Sequence, residues 1–239
     1  MHVQIVLFDG FDPLDAIAPF EVFHAGGTAS GGAVEVELVS AEGPRDVVSG
    51  TGGLTLRANA ALDPARADLV LVPGAAGPLG GNDAPGAGEA FDGVGAEAAA
   101  EAQATVPVLL GRTLATGLPA LLGAATADPA VTVASVCGGS LLLSMAGLIK
   151  GRHATTHHLG LELLDTAGTH AVRARVVDDG DLVTGAGVTS GLDLALYLLE
   201  REVGPQVAHA VEELFAYERR GTVWRPAGPV PATTLSGAR

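Results

Sequence analysis

The chain has 239 residues, 48% of them hydrophobic and 17% charged, a balance that excludes a disordered polypeptide and provides for a sizeable core. A formal charge of −14, with no basic cluster, argues against nucleic acid and anionic membrane surfaces as partners. The one cysteine, Cys137, excludes an internal disulfide and suits a reducing compartment, and aromatics at 4% leave Ala, Val and Leu to fill the core.

The opening MHVQIVLFDGF lacks a basic n-region and a cleavage signal, so Val3–Phe8 reads as a first strand and not as a leader. In DPLDAIAPFEVFHAGG, Asp12 is a candidate cap and Pro13 suits a first helical turn. Apolar residues then recur at Ile17, Phe20, Val22 and Phe23, with a kink expected at Pro19 and a stop at Gly26–Gly27. Val34–Ser40 alternates and reads as a second strand, and RDVVSGTGGLTLRAN as a hairpin with a glycine-rich turn. ADLVLVPGAAGPLGG is a buried strand that breaks into a glycine loop at Gly74. Residues 88–104 are Ala/Glu-rich and predicted helical; Val106–Ala127 is apolar, punctuated by Gly and Pro, and suits a cap over a site or a subunit contact.

Val131–Val136 is a further buried strand leading to Cys137, residues 139–149 a helix closed by Gly151 and Arg152, and residues 171–177 and 182–185 a hairpin. Leu192–Glu202 and Gln206–Arg219 read as helices, with Thr189 and Ser190 as caps and Asp193 favoured by the helix dipole. The longest uncharged apolar stretch, residues 113–127, contains Gly117, Pro119 and Gly123 and falls short of the roughly 18–20 residues of a membrane helix. The expectation is a soluble, cytoplasmic protein. Alternating strands and helices with continuous apolar central strands predict an α/β fold with a mainly parallel sheet covered on both faces. No repeat or linker divides the chain, so one domain over 1–239 is expected, with 220–239 an extended tail that is mobile at its end.

In open α/β sheets the site lies beyond the carboxyl ends of the strands, so Asp9–Asp15, Gly74–Ala76 and Cys137–Ser140 are expected to converge. VASVCGGSLLLSMAGL places Cys137 between a strand and a helix, the pattern of a nucleophile elbow with Cys in place of Ser. A helix N-terminus favours thiolate, and the N–H groups after the nucleophile can hold developing negative charge. The residue types alone leave two other readings open: Cys137 as a small buried hydrophobe, and Asp15 as a helix-capping carboxylate. Asp9 and Asp12 read as solvated turn acids. His157 and His158 are adjacent, and in an extended segment such neighbours point opposite ways, so no joint metal site is expected. No cysteine pair or HExxH supports zinc, and neither GxxxxGK[ST] nor a GxGxxG after the first strand supports a nucleotide.

ASVCGGSLLLSMAGLIKGRHATTHH together with LVTGAGVTSGLDLALYLLEREVG resembles the ThiJ/PfpI superfamily, of class I glutamine amidotransferase-like fold. The opening VLFDGFDPLDAIAPFEVF and the loop LVLVPGAAG fit it too, and the nearest branch is the isonitrile (isocyanide) hydratases with the related domains of AraC-type regulators. The resemblance runs from residue 3 to residue 217 and is weak across residues 80–130. It implies a flavodoxin-like three-layer sandwich, Cys137 as nucleophile, Asp15 as the catalytic acid, and Gly74, Ala75 and Gly138 as backbone N–H donors. His157, with Thr156 beside it, is the implied substrate-binding candidate at the mouth of the site. The implied reaction adds water to a small organic isonitrile to give an N-substituted formamide, with no cofactor or metal and in a homodimer. Hydratases usually carry Thr where this chain has Gly138, so a hydroxyl beside the nucleophile is absent. The short acid Asp15, and the lack of His after the cysteine, set the chain apart from the protease, glyoxalase and deglycase branches. The resemblance also admits a non-catalytic ligand sensor or a cysteine-based redox protein; the chain ends roughly 20 residues after its last predicted helix without a helix-turn-helix, which disfavours a direct DNA role.

Overall fold

Val3, Ile5 and Val6 are completely buried, and an apolar run of this kind finds cover on both faces only in the middle of a sheet. The computed structural model describes residues 1–78 and 104–230. Along the chain the strands are β1 (His2–Val6), β2 (Glu35–Ser40), β3 (Arg45–Val48), β4 (Thr55–Ala58), β5 (Ala60–Ala61), β6 (Leu69–Val72), β7 (Thr132–Val136), β8 (His153–Ala154), β9 (His170–Ala171), β10 (Val176–Asp178) and β11 (Leu182–Gly185). The helices are α1 (Pro13–Ala29), α2 (Val106–Leu114), α3 (Leu118–Ala127), α4 (Gly139–Met145), α5 (Leu161–Thr166), α6 (Ser190–Glu202) and α7 (Pro205–Phe215).

Seven strands form one sheet in the order β10-β11-β7-β6-β1-β2-β5. Every neighbouring pair is parallel except β10 with β11. The sandwich is flavodoxin-like: α1, α6 and α7 pack together, as do α2, α3 and α4, and the all-buried β6 and β11 lie between neighbours on both edges. The expected hairpin around residues 45–59 forms as β3 with β4, its turn made by Gly52 and Gly53 at positive φ. The second expected hairpin forms as β10 with β11, while residues before it pair elsewhere, β9 running parallel to β8.

Two expectations are corrected. Helix α1 continues through Pro19 and through Gly26–Gly27 to Ala29. The glycines are there for packing: a Cβ on Gly26 would lie 2.6 Å from the Leu199 side chain of α6, and one on Gly27 would lie 2.4 Å from the Val34 carbonyl. The two last helices also end differently from the sequence reading, α6 starting at Ser190 and α7 stopping at Phe215, where Ala216 turns left-handed. The start of the expected extended tail is docked, and its end, residues 231–239, lies outside the described residues. The Trp224 N–H donates to the Val176 carbonyl, the Asp178 N–H donates to the Trp224 carbonyl, and the Trp224 ring lies 5.1 Å from that of His153. The helix expected over residues 88–104 falls almost wholly outside the described residues.

Candidate active site

β7 delivers Cys137 to the carboxyl edge of the sheet, and the chain must reverse there to start α4. The reversal falls on Cys137 itself, at φ +53°, a left-handed conformation that costs a non-glycine residue about 1–2 kcal/mol. Hydrogen bonds hold it there. The Cys137 N–H donates to the Gly185 carbonyl at 3.0 Å, continuing the β7–β11 pairing. The Cys137 carbonyl accepts from the hydroxyls of Thr156 at 2.7 Å and Ser140 at 3.3 Å. Gly139 is demanded by the adjoining strand, because a Cβ there would lie 2.2 Å from the Val72 carbonyl oxygen.

The first turn of α1 brings Asp15 to the same corner. Asp12 caps that helix by accepting the Leu14 N–H at 3.0 Å, and Pro13 opens it, so the cap position is filled without Asp15. Asp15 is 0% exposed. Its Oδ2 accepts the Gly74 N–H at 2.9 Å, and its Oδ1 is buried with no hydrogen-bond partner among the described residues. Gly74 is tightly held: a Cβ on it would lie 2.6 Å from the Gly138 nitrogen and 2.8 Å from Asp15 Oδ2. The three stretches expected to converge therefore do so, with Phe11 bridged to Ala75 and the Asp12 N–H donating to the Gly74 carbonyl.

Burial drives the electrostatics. It raises Asp15 well above the ordinary carboxyl value of 3.8; the neighbouring Asp12 adds to this, and the Gly74 N–H and the Cys137 thiol oppose it. Burial also pushes the Cys137 thiol up, seconded by the Asp15 carboxylate, while the Gly138 N–H pulls it down and Asp12 adds a further rise. Burial and the Asp15 carboxylate both run against the thiolate expected from the helix N-terminus. Helix α4 has only seven residues, and its positive end is outweighed by burial and by two carboxyl groups brought in by α1. Sulfur and carboxyl act on each other's protonation and titrate as a pair that is reluctant to lose its proton. Such a pair can deliver a thiol and a proton to the same electrophile.

The other sequence candidates take distinct places. The Gly74 N–H is engaged by Asp15, so it orients the acid and is not a free donor. The Gly138 N–H faces the sulfur, and the Ala75 N–H, across from Gly138, has no backbone acceptor among the described residues. Thr156 is 1% exposed and uses its hydroxyl on the Cys137 carbonyl, which makes it a brace for the elbow. His157 is half-buried, and burial and His158 hold its imidazole below the ordinary value of 6.5. The two histidine rings do not point opposite ways: their centroids are 4.2 Å apart, because the chain enters a 3₁₀ turn at His158–Gly160 instead of staying extended. Among the described residues no cluster of three or more His, Cys, Asp or Glu side chains could hold a metal ion.

Sequence reasoning missed the bracing role of Thr156 and Ser140; a buried hydroxyl residue just past a strand end was the available signal. It also missed a polar anchor on the far side of α6. Asp193, 2% exposed, accepts from Arg175 at 2.6 Å, from the Tyr217 hydroxyl at 2.9 Å and from the Arg220 N–H at 2.6 Å. Neither Thr189 nor Ser190 makes the expected capping bond; Thr189 accepts from Arg175 instead. No single described helix is long and apolar enough to cross a membrane.

Residues 120–201 match the DJ-1/PfpI family. Over 85 residues the chain is 48% identical to isonitrile hydratase of Pseudomonas putida, a match that spans 36% of this chain and only 37% of that protein. An uncharacterised protein from the cpoL 5′ region of Streptomyces lividans is 32% identical over 159 residues, covering 65% of this chain and 86% of that one. The crystal structure of a ThiJ/PfpI family protein from Pseudomonas syringae shares the fold at a TM-score of 0.69 with 24% identity, over 98% of this chain and 78% of that one. A sequence match that runs from α3 across the cysteine corner to α6, within a fold shared along nearly the whole chain, leads to one conclusion: the protein belongs to the DJ-1/PfpI family.

Proposed function

We propose that the protein adds water to a small organic isonitrile, giving an N-substituted formamide through a covalent cysteine intermediate. The observation that carries this reading is the fully buried Asp15 carboxyl, one oxygen on the Gly74 N–H and the other unpartnered among the described residues, beside the strained Cys137. The local identity to an isonitrile hydratase supports it.

The terminal carbon of R–N≡C accepts both a nucleophile and a proton. In the first step the Cys137 sulfur bonds to that carbon, and a proton relayed by Asp15 goes to the same carbon, giving the thioimidate Cys–S–CH=N–R. Water then adds across C=N: Asp15 takes a proton from the attacking oxygen, and the nitrogen gains one. Collapse forms C=O, breaks the C–S bond, returns a proton to sulfur and releases R–NH–CHO. The N–H groups of Gly138 and Ala75 face the negative charge that gathers as the C–S bond forms and breaks. The raised Asp15 pKa suits a group that must donate before it accepts. No cofactor enters the scheme, the partner is a small molecule, and the working assembly is a homodimer.

The test is to incubate wild type, Cys137→Ala and Asp15→Ala with cyclohexyl and aryl isonitriles and measure formamide. Wild type should form product and both variants should fall to background. No formamide above the Cys137→Ala background from any of several isonitriles would overturn the reading. Selective, reversible oxidation of Cys137 by peroxide, without turnover, would assign the site to redox sensing instead.

A further inference from the structure

We propose that Gly138 is a specificity position: its missing side chain sets how much bulk an electrophile can carry next to the atom that meets the Cys137 sulfur. This rests on the hydration reading for its natural substrate, and it predicts that branching at the carbon bonded to nitrogen is tolerated.

Three glycines, Gly74, Gly138 and Gly139, meet at the corner that holds Cys137, and the structure treats them differently. A Cβ on Gly74 would lie 2.6 Å from the Gly138 nitrogen, and one on Gly139 would lie 2.2 Å from the Val72 oxygen, so both are required by backbone packing. Gly138 is not. Its φ of −68° is open to any L-residue, and a Cβ there would meet only Gly74 Cα at 3.5 Å and Ala75 N at 3.8 Å, ordinary contact distances. No fold constraint explains a glycine at this place. What a side chain would do is occupy the face shared by Gly138 and the Gly74–Ala75 loop, the two segments that carry the N–H groups beside the sulfur. Cys137 is 8% exposed, so access along that face decides what reaches it. The unpartnered Oδ1 of the fully buried Asp15 marks the same corner as one that receives a ligand.

Because Cys137 is the single cysteine of the chain, alkylation reads this corner directly. Wild type, Gly138→Ala and Gly138→Val are labelled with iodoacetamide and with a bulky N-aryl maleimide at one pH, and melting curves confirm that each variant is folded. The ratio of the two rates cancels the thiolate fraction, which enters both equally. Gly138→Val is expected to lower the maleimide-to-iodoacetamide ratio by roughly tenfold or more, with Gly138→Ala intermediate, the scale on which pockets discriminate by one or two methyl groups. An unchanged ratio in folded Gly138→Ala and Gly138→Val overturns the proposal. The same variants are then compared on tert-butyl and n-butyl isonitrile. Selective loss of the branched substrate supports the proposal, and equal loss of both overturns its substrate assignment. A changed labelling ratio with no formamide from any protein upholds the role of Gly138 in access and overturns the hydratase reading alone.

Discussion

Replacing Asp15 with Asn should give a protein that is more stable at neutral pH and inactive. The carboxyl is 0% exposed and accepts one backbone hydrogen bond, from the Gly74 N–H at 2.9 Å. An amide has the same shape, keeps a carbonyl oxygen for that N–H and does not ionise. The sign follows from linkage. The folded pKa lies above 3.8, so between those two values the folded protein holds a proton that the unfolded chain has lost, and stability falls as pH rises through that window. Each unit of upward shift costs about 1.4 kcal/mol once the pH is above the folded pKa. Against the relief stands the Asn NH₂, which enters a site built for an acid at a cost of about 1–3 kcal/mol if it finds no acceptor. A net gain in stability at pH 8 is expected, read as a melting temperature above that of wild type. Thermal melts of wild type and Asp15→Asn at pH 8, 6 and 4.5 test it. The gain should shrink toward pH 4.5 while formamide production stays absent throughout. A melting difference independent of pH, or a variant less stable than wild type at pH 8, would refute the account of Asp15 as a costly buried acid.

Gly74→Ala should lose about 1–3 kcal/mol and displace Asp15, because its methyl meets backbone nitrogen and carboxylate oxygen, whereas Gly138→Ala should melt within about 1 kcal/mol of wild type in urea titrations. Thr156→Val leaves the Cys137 carbonyl with only the longer Ser140 bond; a loss of about 1–3 kcal/mol is expected, with slower thiol labelling, and Thr156→Ser should restore both. Asp193→Ala removes the shared acceptor of Arg175, Tyr217 and Arg220. It should cost about 2–4 kcal/mol, less than a fully buried pair because Arg175 reaches water, and should open residues 217–225 to limited proteolysis.

The parallel sheet was legible because β6 (LVLV) and β7 (TVASV) are short, mostly apolar runs long enough for a strand and too short for a helix. The corner at Cys137 was legible for a similar reason: the alternation changes from strand to helix across one residue and two glycines. What stayed hidden has its cause elsewhere in the chain. Gly26–Gly27 reads locally as a helix stop, and only the Leu199 side chain and the Val34 carbonyl explain why a helix carries two glycines there. The thiol's protonation was misjudged because a helix N-terminus is visible in the local sequence, while the burial and the two acids that outweigh it come from packing against α1. Thr156 looked like a residue at the mouth of a site; its hydroxyl is turned inward to a carbonyl that no local pattern identifies. The docking of Trp224 was missed because PAGPVP after it reads as extended chain.

That docking bears on how the sheet avoids its own kind. An outer strand offers unpaired N–H and C=O groups on which another chain can grow by strand addition. Here one border of the sheet is β5, only two residues long, and the other is β10, whose outward N–H of Asp178 and carbonyl of Val176 are both taken by Trp224. Arg225 then lies over the Tyr197 ring at 5.4 Å and pins the segment. A chain truncated before Thr222 would uncover that border, and aggregation during expression is the consequence this arrangement forestalls.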